Sequence, residues 1–362
     1  MKKFLLGLLI FLILLGGLAW WQEWIVVENS LNDPKGKEFS FEIKGNNKEK
    51  GGEKNTGWLA KYNFENLRNR DDKSSKIKKI GRVLVVEAAR EEFIKRGDLE
   101  GKSFDFESWA ISFESNGKDI SGMMNIPDKC QEKLCPTIIM IRGYADAEGY
   151  FIGSGSWKAA DELARNGFIT VSLDFLGFGL SDYESKDILE ARFEKVMSVL
   201  DLIESVKEME GVDKNRIGIW AHSNGGQIAI SVLEITGGNY PTALWAPMTN
   251  PFPKSVLETI DESSESGMEV KEKIEEFEED YDSELYAINN FYEWLEAPIL
   301  IHQGDEDVWC EVKWQQELVE ELELLGKDID LDIRKGNDHN LKQSWDEVIK
   351  MDINFYRNNF WF

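Results

Sequence analysis

Hydrophobic and polar positions along the 362-residue chain change period several times, and each change marks an element. Lys2-Lys3 precede Phe4 to Trp21, eighteen residues without a charge. Glu28 to Thr56 is polar and carries Gly51-Gly52, which reads as a spacer. Between Gly57 and Gly101 a basic run, Lys73 to Lys79, precedes a candidate strand, Val83-Leu84-Val85-Val86, and a candidate helix, Glu87 to Lys95. Trp109 to Phe113, a turn at Asn116-Gly117 and Ile120 to Asn125 predict a hairpin within Phe104 to Ile126. From Pro136 onward, apolar strand-like runs alternate with helix-like segments. The strand-like runs include Ile138 to Ile141, Arg216 to Trp220, Leu244 to Pro247, Pro298 to Ile301 and Ile329 to Ile333. That alternation predicts an α/β domain with a mostly parallel central sheet and helices on both faces.

Residues 1–22 read as a signal-anchor helix or a signal peptide, residues 23–103 as a spacer and small preceding region, and residues 104–362 as the main domain. Length, the Trp20, Trp21 and Trp24 cluster and the continuation Ile25-Val26-Val27 favour the anchor. Gly17-Leu18-Ala19 offers a small-x-small cleavage site. Either way, Lys2 and Lys3 on the inside place the main domain outside the cytoplasm. Residues 249–294, rich in Glu and Asp, interrupt the alternation and read as an acidic cap insertion. Within it, Glu269 to Glu279 forms an amphipathic pattern with Val270, Ile274 and Phe277 on one face. Such an acidic cap is expected to disfavour anionic substrates.

The candidate chemistry centres on Ala221-His222-Ser223-Asn224-Gly225-Gly226, between the strand Arg216 to Trp220 and the helix-like run Gln227 to Leu233. A serine at a sharp strand-to-helix turn is the setting of a nucleophile elbow. Ala221 and Gly225, small residues two before and two after it, let the backbone cross closely. A serine needs a base, and the base needs an orienting carboxylate. The chain holds only three histidines. His222 lies inside the elbow, and His302 ends a strand ahead of the acidic loop. That leaves His339, delivered by the loop after Ile329 to Ile333, as the base. The acidic loop Gln303-Gly304-Asp305-Glu306-Asp307-Val308 supplies the candidate acids.

His302-Gln303-Gly304-Asp305-Glu306-Asp307-Val308 resembles the acid loop of α/β-hydrolases near the prolyl oligopeptidase and dienelactone hydrolase groups. The resemblance implies Asp307 as the triad acid, with Asp305 as the alternative. It extends to Asp174-Phe175-Leu176-Gly177-Phe178-Gly179-Leu180-Ser181, to Val212-Asp213-Lys214-Asn215-Arg216-Ile217-Gly218, and to Pro136 through Tyr144. In the last of these Arg142 replaces the usual His. Together these motifs run from about Phe106 to the C-terminus. They imply an α/β-hydrolase fold and a serine hydrolase with the triad Ser223, Asp307 and His339. The oxyanion hole would use the backbone N–H groups of Asn224 and Tyr144. Peptidase and carboxylesterase are the competing activities, peptidase slightly favoured; a non-catalytic extracytoplasmic binding module on the same fold is the alternative class.

Composition changes little in that picture. A formal charge of −25 makes the chain a poor partner for nucleic acid. Neither a metal nor a cofactor is implied, because the histidines lie far apart. Partners are therefore a peptide or small-molecule ester substrate and, through the N-terminal run, a membrane. Cys130 and Cys135 read as a small disulfide loop or as two free thiols, and Cys310 as a buried structural thiol.

Overall fold

The computed structural model describes residues 54–83, 105–261 and 263–360. The N-terminal apolar run, the strand candidate beyond Val83 and the helix candidate Glu87 to Lys95 lie outside the described residues. Lys54–Phe362 form one compact unit, so the stretch from Lys54 to Val83 packs with the domain placed at 104–362. No helix among the described residues is long and apolar enough to cross a membrane.

Nine strands of the described residues form one sheet: β1 (Lys78–Arg82), β2 (Phe106–Ser115), β3 (Lys118–Pro127), β4 (Cys135–Ile141), β5 (Ile169–Leu173), β6 (Val212–His222), β7 (Thr242–Trp245), β8 (Ile299–Gly304) and β9 (Ile329–Arg334). Their order is β1-β2-β3-β5-β4-β6-β7-β8-β9. Pairing is antiparallel from β1 to β5 and parallel from β5 through β4 to β9. The helices are α1 (Phe64–Arg68), α2 (Trp157–Arg165), α3 (Ile188–Lys207), α4 (Asn224–Thr236), α5 (Lys254–Leu257), α6 (Glu265–Asp280), α7 (Val312–Leu324) and α8 (Trp345–Phe360).

The expected hairpin forms between β2 and β3. Asn116 and Gly117 take φ values of 50° and 75°, the left-handed pair that a tight two-residue turn requires. Before it, the edge strand among the described residues is Lys78–Arg82, in the run read only as basic. An edge strand with an open face needs no apolar side chains, and lysines there discourage pairing with other chains. The continuous apolar run of β4 is explained by burial on both faces. Ile138 and Met140 join one core with α2 and α8, whereas Ile139 and Ile141 join the other with α3, α4 and α7.

The insertion 249–294 folds onto α3. Phe277 of α6 packs against Phe193 at 5.8 Å, and Ile274 and Phe277 are buried as the amphipathic pattern predicted. The segment Trp58–Tyr62 and α1 brace it. Phe64 stacks on Phe291 at 5.0 Å, and Tyr286 Oη donates to the Leu59 carbonyl at 3.2 Å. Cys130 and Cys135 are joined as a disulfide with Cα atoms 5.6 Å apart.

Candidate active site

Ser223 stands between β6 and α4 with φ 55° and ψ −126°. That conformation is costly for a residue with a Cβ, and it persists because its surroundings hold it. The Ser223 N–H donates to the Trp245 carbonyl at 2.9 Å, and the Ser223 carbonyl accepts from Gly226 and Met248 at 2.8 and 2.9 Å. Close crossings demand the glycines. A Cβ on Gly225 would lie 2.4 Å from the Ile141 carbonyl oxygen, and one on Gly226 2.4 Å from Pro247 Cβ. The hydroxyl of Ser223 makes no hydrogen bond among the described residues.

The loops after β8 and β9 bring Asp307 and His339 together. Nδ1 of His339 lies 2.8 Å from Oδ2 of Asp307, whose side chain is fully buried. The same oxygen accepts from Gln303 Nε2 at 3.0 Å. Asp307 Oδ1 accepts the backbone N–H groups of Trp309 and Cys310 at 2.8 and 3.0 Å. Burial raises the Asp307 pKa, but the hydrogen bond and charge of His339 and the backbone donors outweigh it, so the carboxyl stays below its usual range. Asp305, the alternative acid, faces elsewhere: its Oδ1 accepts the Gly336 N–H at 2.6 Å and so ties down the start of the His339 loop.

His222 and His302 take supporting places. His222 Nε2 sits 3.0 Å from the His339 carbonyl, which can only accept, so His222 carries the proton there and anchors the His339 backbone. Burial, with the neighbouring His339, pushes the His222 pKa down to about 4 and keeps it neutral. His302 is buried between Asp332 at 2.8 Å and Asp352 at 3.0 Å, beneath the site.

Gly143 follows β4 and touches Ser223; a Cβ there would lie 2.8 Å from Ser223 Cβ and 3.4 Å from Ser223 Oγ. The next backbone N–H, that of Tyr144, and the Asn224 N–H at the start of α4 have no acceptor among the described residues. The Tyr144 ring is exposed, and its hydroxyl donates to Asp146 Oδ1 at 2.9 Å. Sequence reasoning treated Arg142 only as a replaced histidine. The buried guanidinium in fact donates to the Gly143 carbonyl at 2.8 Å and the Asp174 carbonyl at 2.7 Å, and lies 4.2 Å from the Phe178 ring centre.

Among the described residues, one group brings three potential metal-ligand atoms within 4.8 Å of each other: Asp307, Cys310 and His339. Its carboxylate and imidazole are already spent on each other, and burial pushes the Cys310 thiol far up, so it stays protonated.

A strand-elbow-helix serine beside a buried Asp–His pair, on a mostly parallel sheet flanked by helices, defines an α/β-hydrolase. Residues 157–360 match the model of the prolyl oligopeptidase family, more than half of the chain. The chain belongs to that family. No curated protein sequence matches it. Its fold is similar to that of dipeptidyl peptidase 4 from Porphyromonas gingivalis, with TM-score 0.55 and 16% identity over 73% of this chain and 37% of that one. It is also similar to acetyl xylan esterase 1 from Thermoanaerobacterium sp. JW/SL YS485, with TM-score 0.54 and 14% identity over 81% of this chain and 93% of that one. A puromycin-hydrolyzing peptidase from Mycobacterium tuberculosis aligns with TM-score 0.55 and 12% identity over 73% of this chain and 41% of that one. The chain thus spans well under half the length of these two peptidases.

Proposed function

We propose that the chain cleaves an acyl bond through an acyl-enzyme, with Ser223 as nucleophile, His339 as general base and then acid, and Asp307 as the orienting carboxylate. The observation that carries this reading is the 2.8 Å contact between Asp307 Oδ2 and His339 Nδ1, on the loops that face the elbow. Asp307 accepts the Nδ1 proton, which leaves Nε2 basic and free to take the Ser223 proton. The imidazolium formed then protonates the leaving group, and water resolves the acyl-enzyme. The Tyr144 and Asn224 N–H groups receive the oxygen that becomes negative, and the loss of one such donor costs about 10²–10³ in turnover.

Membership of the prolyl oligopeptidase family favours a peptide or amide bond. The likeness to an acetyl xylan esterase over most of both chains supports a short acyl ester as the second reading. Turnover of peptide amides against short acyl esters by the same preparation separates the two. Hydrolysis of esters alone would exclude the peptidase. We also propose that the N-terminal apolar run anchors the chain in a membrane with the catalytic domain extracytoplasmic, which the Cys130–Cys135 disulfide supports. Proteolysis of the domain from outside intact cells tests it.

A further inference from the structure

α3 and α4 flank a narrow cleft of about 30 Å3. Asn224, the residue after Ser223, lines it, and Gln227 follows on the same face of α4. α3 contributes Arg192 and Lys195, and the insertion contributes Phe252 and Tyr286.

Neither cation has an ion-pair partner among the described residues. Arg192 donates to Gln227 Oε1, and to Ser255 Oγ at 3.1 Å, both uncharged. Lys195 makes no hydrogen bond among the described residues. The acids of α3 are engaged elsewhere. Glu190 accepts from Tyr62 at 2.9 Å, and Glu194 pairs with Lys118 at 2.6 Å. Burial pushes the Arg192 pKa down to about 10. Burial, then repulsion from Arg192, pushes Lys195 down to about 8 despite the attraction of Glu184. In a chain with 67 acidic and 42 basic residues, ion pairs for two cations are plentiful, so a pair in which one acid, Glu184, attracts Lys195 without closing an ion pair is a specific arrangement. Half-buried charge without an ion-pair partner costs stability unless something neutralises it.

We propose that this cleft is a subsite for a carboxylate on the acyl portion of the substrate. The inference rests on the hydrolase reading: an acyl carbonyl held at the Asn224 N–H starts its chain beside the cleft. A guanidinium and an ammonium one helical turn apart supply charge-assisted donors to both carboxylate oxygens. The narrow space admits a small acidic group. The preference runs opposite to the one expected from the acidic insertion, because the charge that lines the cleft is cationic.

Two measurements test it. The first compares kcat/KM for a glutaryl ester and for its neutral pentanoyl counterpart, in wild type and Lys195→Met. The wild type is expected to favour the glutaryl ester at least tenfold, roughly, and Lys195→Met to lose most of that ratio. A wild-type preference for the neutral ester, or a ratio unchanged in Lys195→Met, overturns the proposal. The second reads the subsite without turnover: thermal unfolding of Ser223→Ala with free glutarate as the probe. A rise in Tm that Lys195→Met abolishes supports the subsite, and no rise, or an equal rise in both proteins, overturns it. If that rise is present while no ester turns over in wild type, the hydrolase reading fails and the subsite stands.

Discussion

Arg142 Nη1 donates to the carbonyl oxygen of its own neighbour, Gly143, at 2.8 Å. In a trans peptide the N–H points opposite to the carbonyl. Fixing the Gly143 carbonyl on the buried guanidinium therefore fixes the direction of the Tyr144 N–H, on the side where Gly143 touches Ser223. Arg142 is thus a positioning residue. Arg142→Met is expected to lower kcat by about 10–10²-fold with a smaller change in KM, since a misaimed donor is lost mainly in the transition state. Equal kcat with raised KM would contradict this role.

Gly143 itself has no room for a side chain. Gly143→Ala puts a Cβ 2.8 Å from Ser223 Cβ and 3.1 Å from the His222 carbonyl oxygen. Overpacking of this kind costs about 1–3 kcal/mol. Because the strain falls on the nucleophile, fluorophosphonate labelling is expected to drop more than tenfold while the fold survives in circular dichroism.

Glu234 is fully buried, both carboxylate oxygens lack a partner, and burial raises its pKa well above 4.5. The native state therefore keeps a proton that the unfolded chain releases above that pH, and stability falls as pH climbs from 4.5. Glu234→Leu is expected to stabilise the protein by about 1–3 kcal/mol at pH 8, and by less at pH 5. Chemical denaturation at the two pH values checks both sign and size.

His302 adds to the same trend. Burial lowers its pKa, but the hydrogen bonds and charges of Asp332 and Asp352 outweigh burial and hold it above 6.5. A histidine whose folded pKa is raised contributes stability that is complete below pH 6.5 and is lost as pH rises through the folded value. Wild-type Tm is therefore expected to decline on the alkaline side, and a Tm that rose there would count against the charged His302 cluster.

The Cys130–Cys135 bridge closes a loop of sequence separation 5. So short a loop constrains the unfolded chain by about 2 kcal/mol. Reduction under native conditions is expected to lower Tm by a few degrees without loss of labelling, because the bridge sits at the start of β4, remote in sequence from Ser223. Unchanged Tm on reduction would mean that the bridge carries no stability.

The sheet after Pro136 and the hairpin before it were legible because their signals are local: apolar runs of strand length, and Asn116-Gly117 at a turn that needs positive φ. The pairing of Asp307 with His339 was legible for the same reason, as each residue sits in its own short motif. The choice between Asp305 and Asp307 needed resemblance, because both are carboxylates on one loop; in space one meets His339 and the other the Gly336 N–H. Arg142, His222 and Gln303 were missed as supports. Their contacts, such as His222 to the His339 carbonyl 117 positions away, leave no periodic trace. The edge strand Lys78–Arg82 was missed because an exposed strand needs no apolar pattern. Nothing in the sequence singles out Arg192 and Lys195, and only the packing of α3 on α4 brings them to one cleft.

The most direct test of the central claim is labelling of the purified described domain with a fluorophosphonate probe, in wild type, Ser223→Ala and His339→Ala. An activated Ser223 predicts strong labelling of wild type, none of Ser223→Ala, and a large loss in His339→Ala. A folded wild-type protein that does not label, or a Ser223→Ala protein that labels equally, would contradict it.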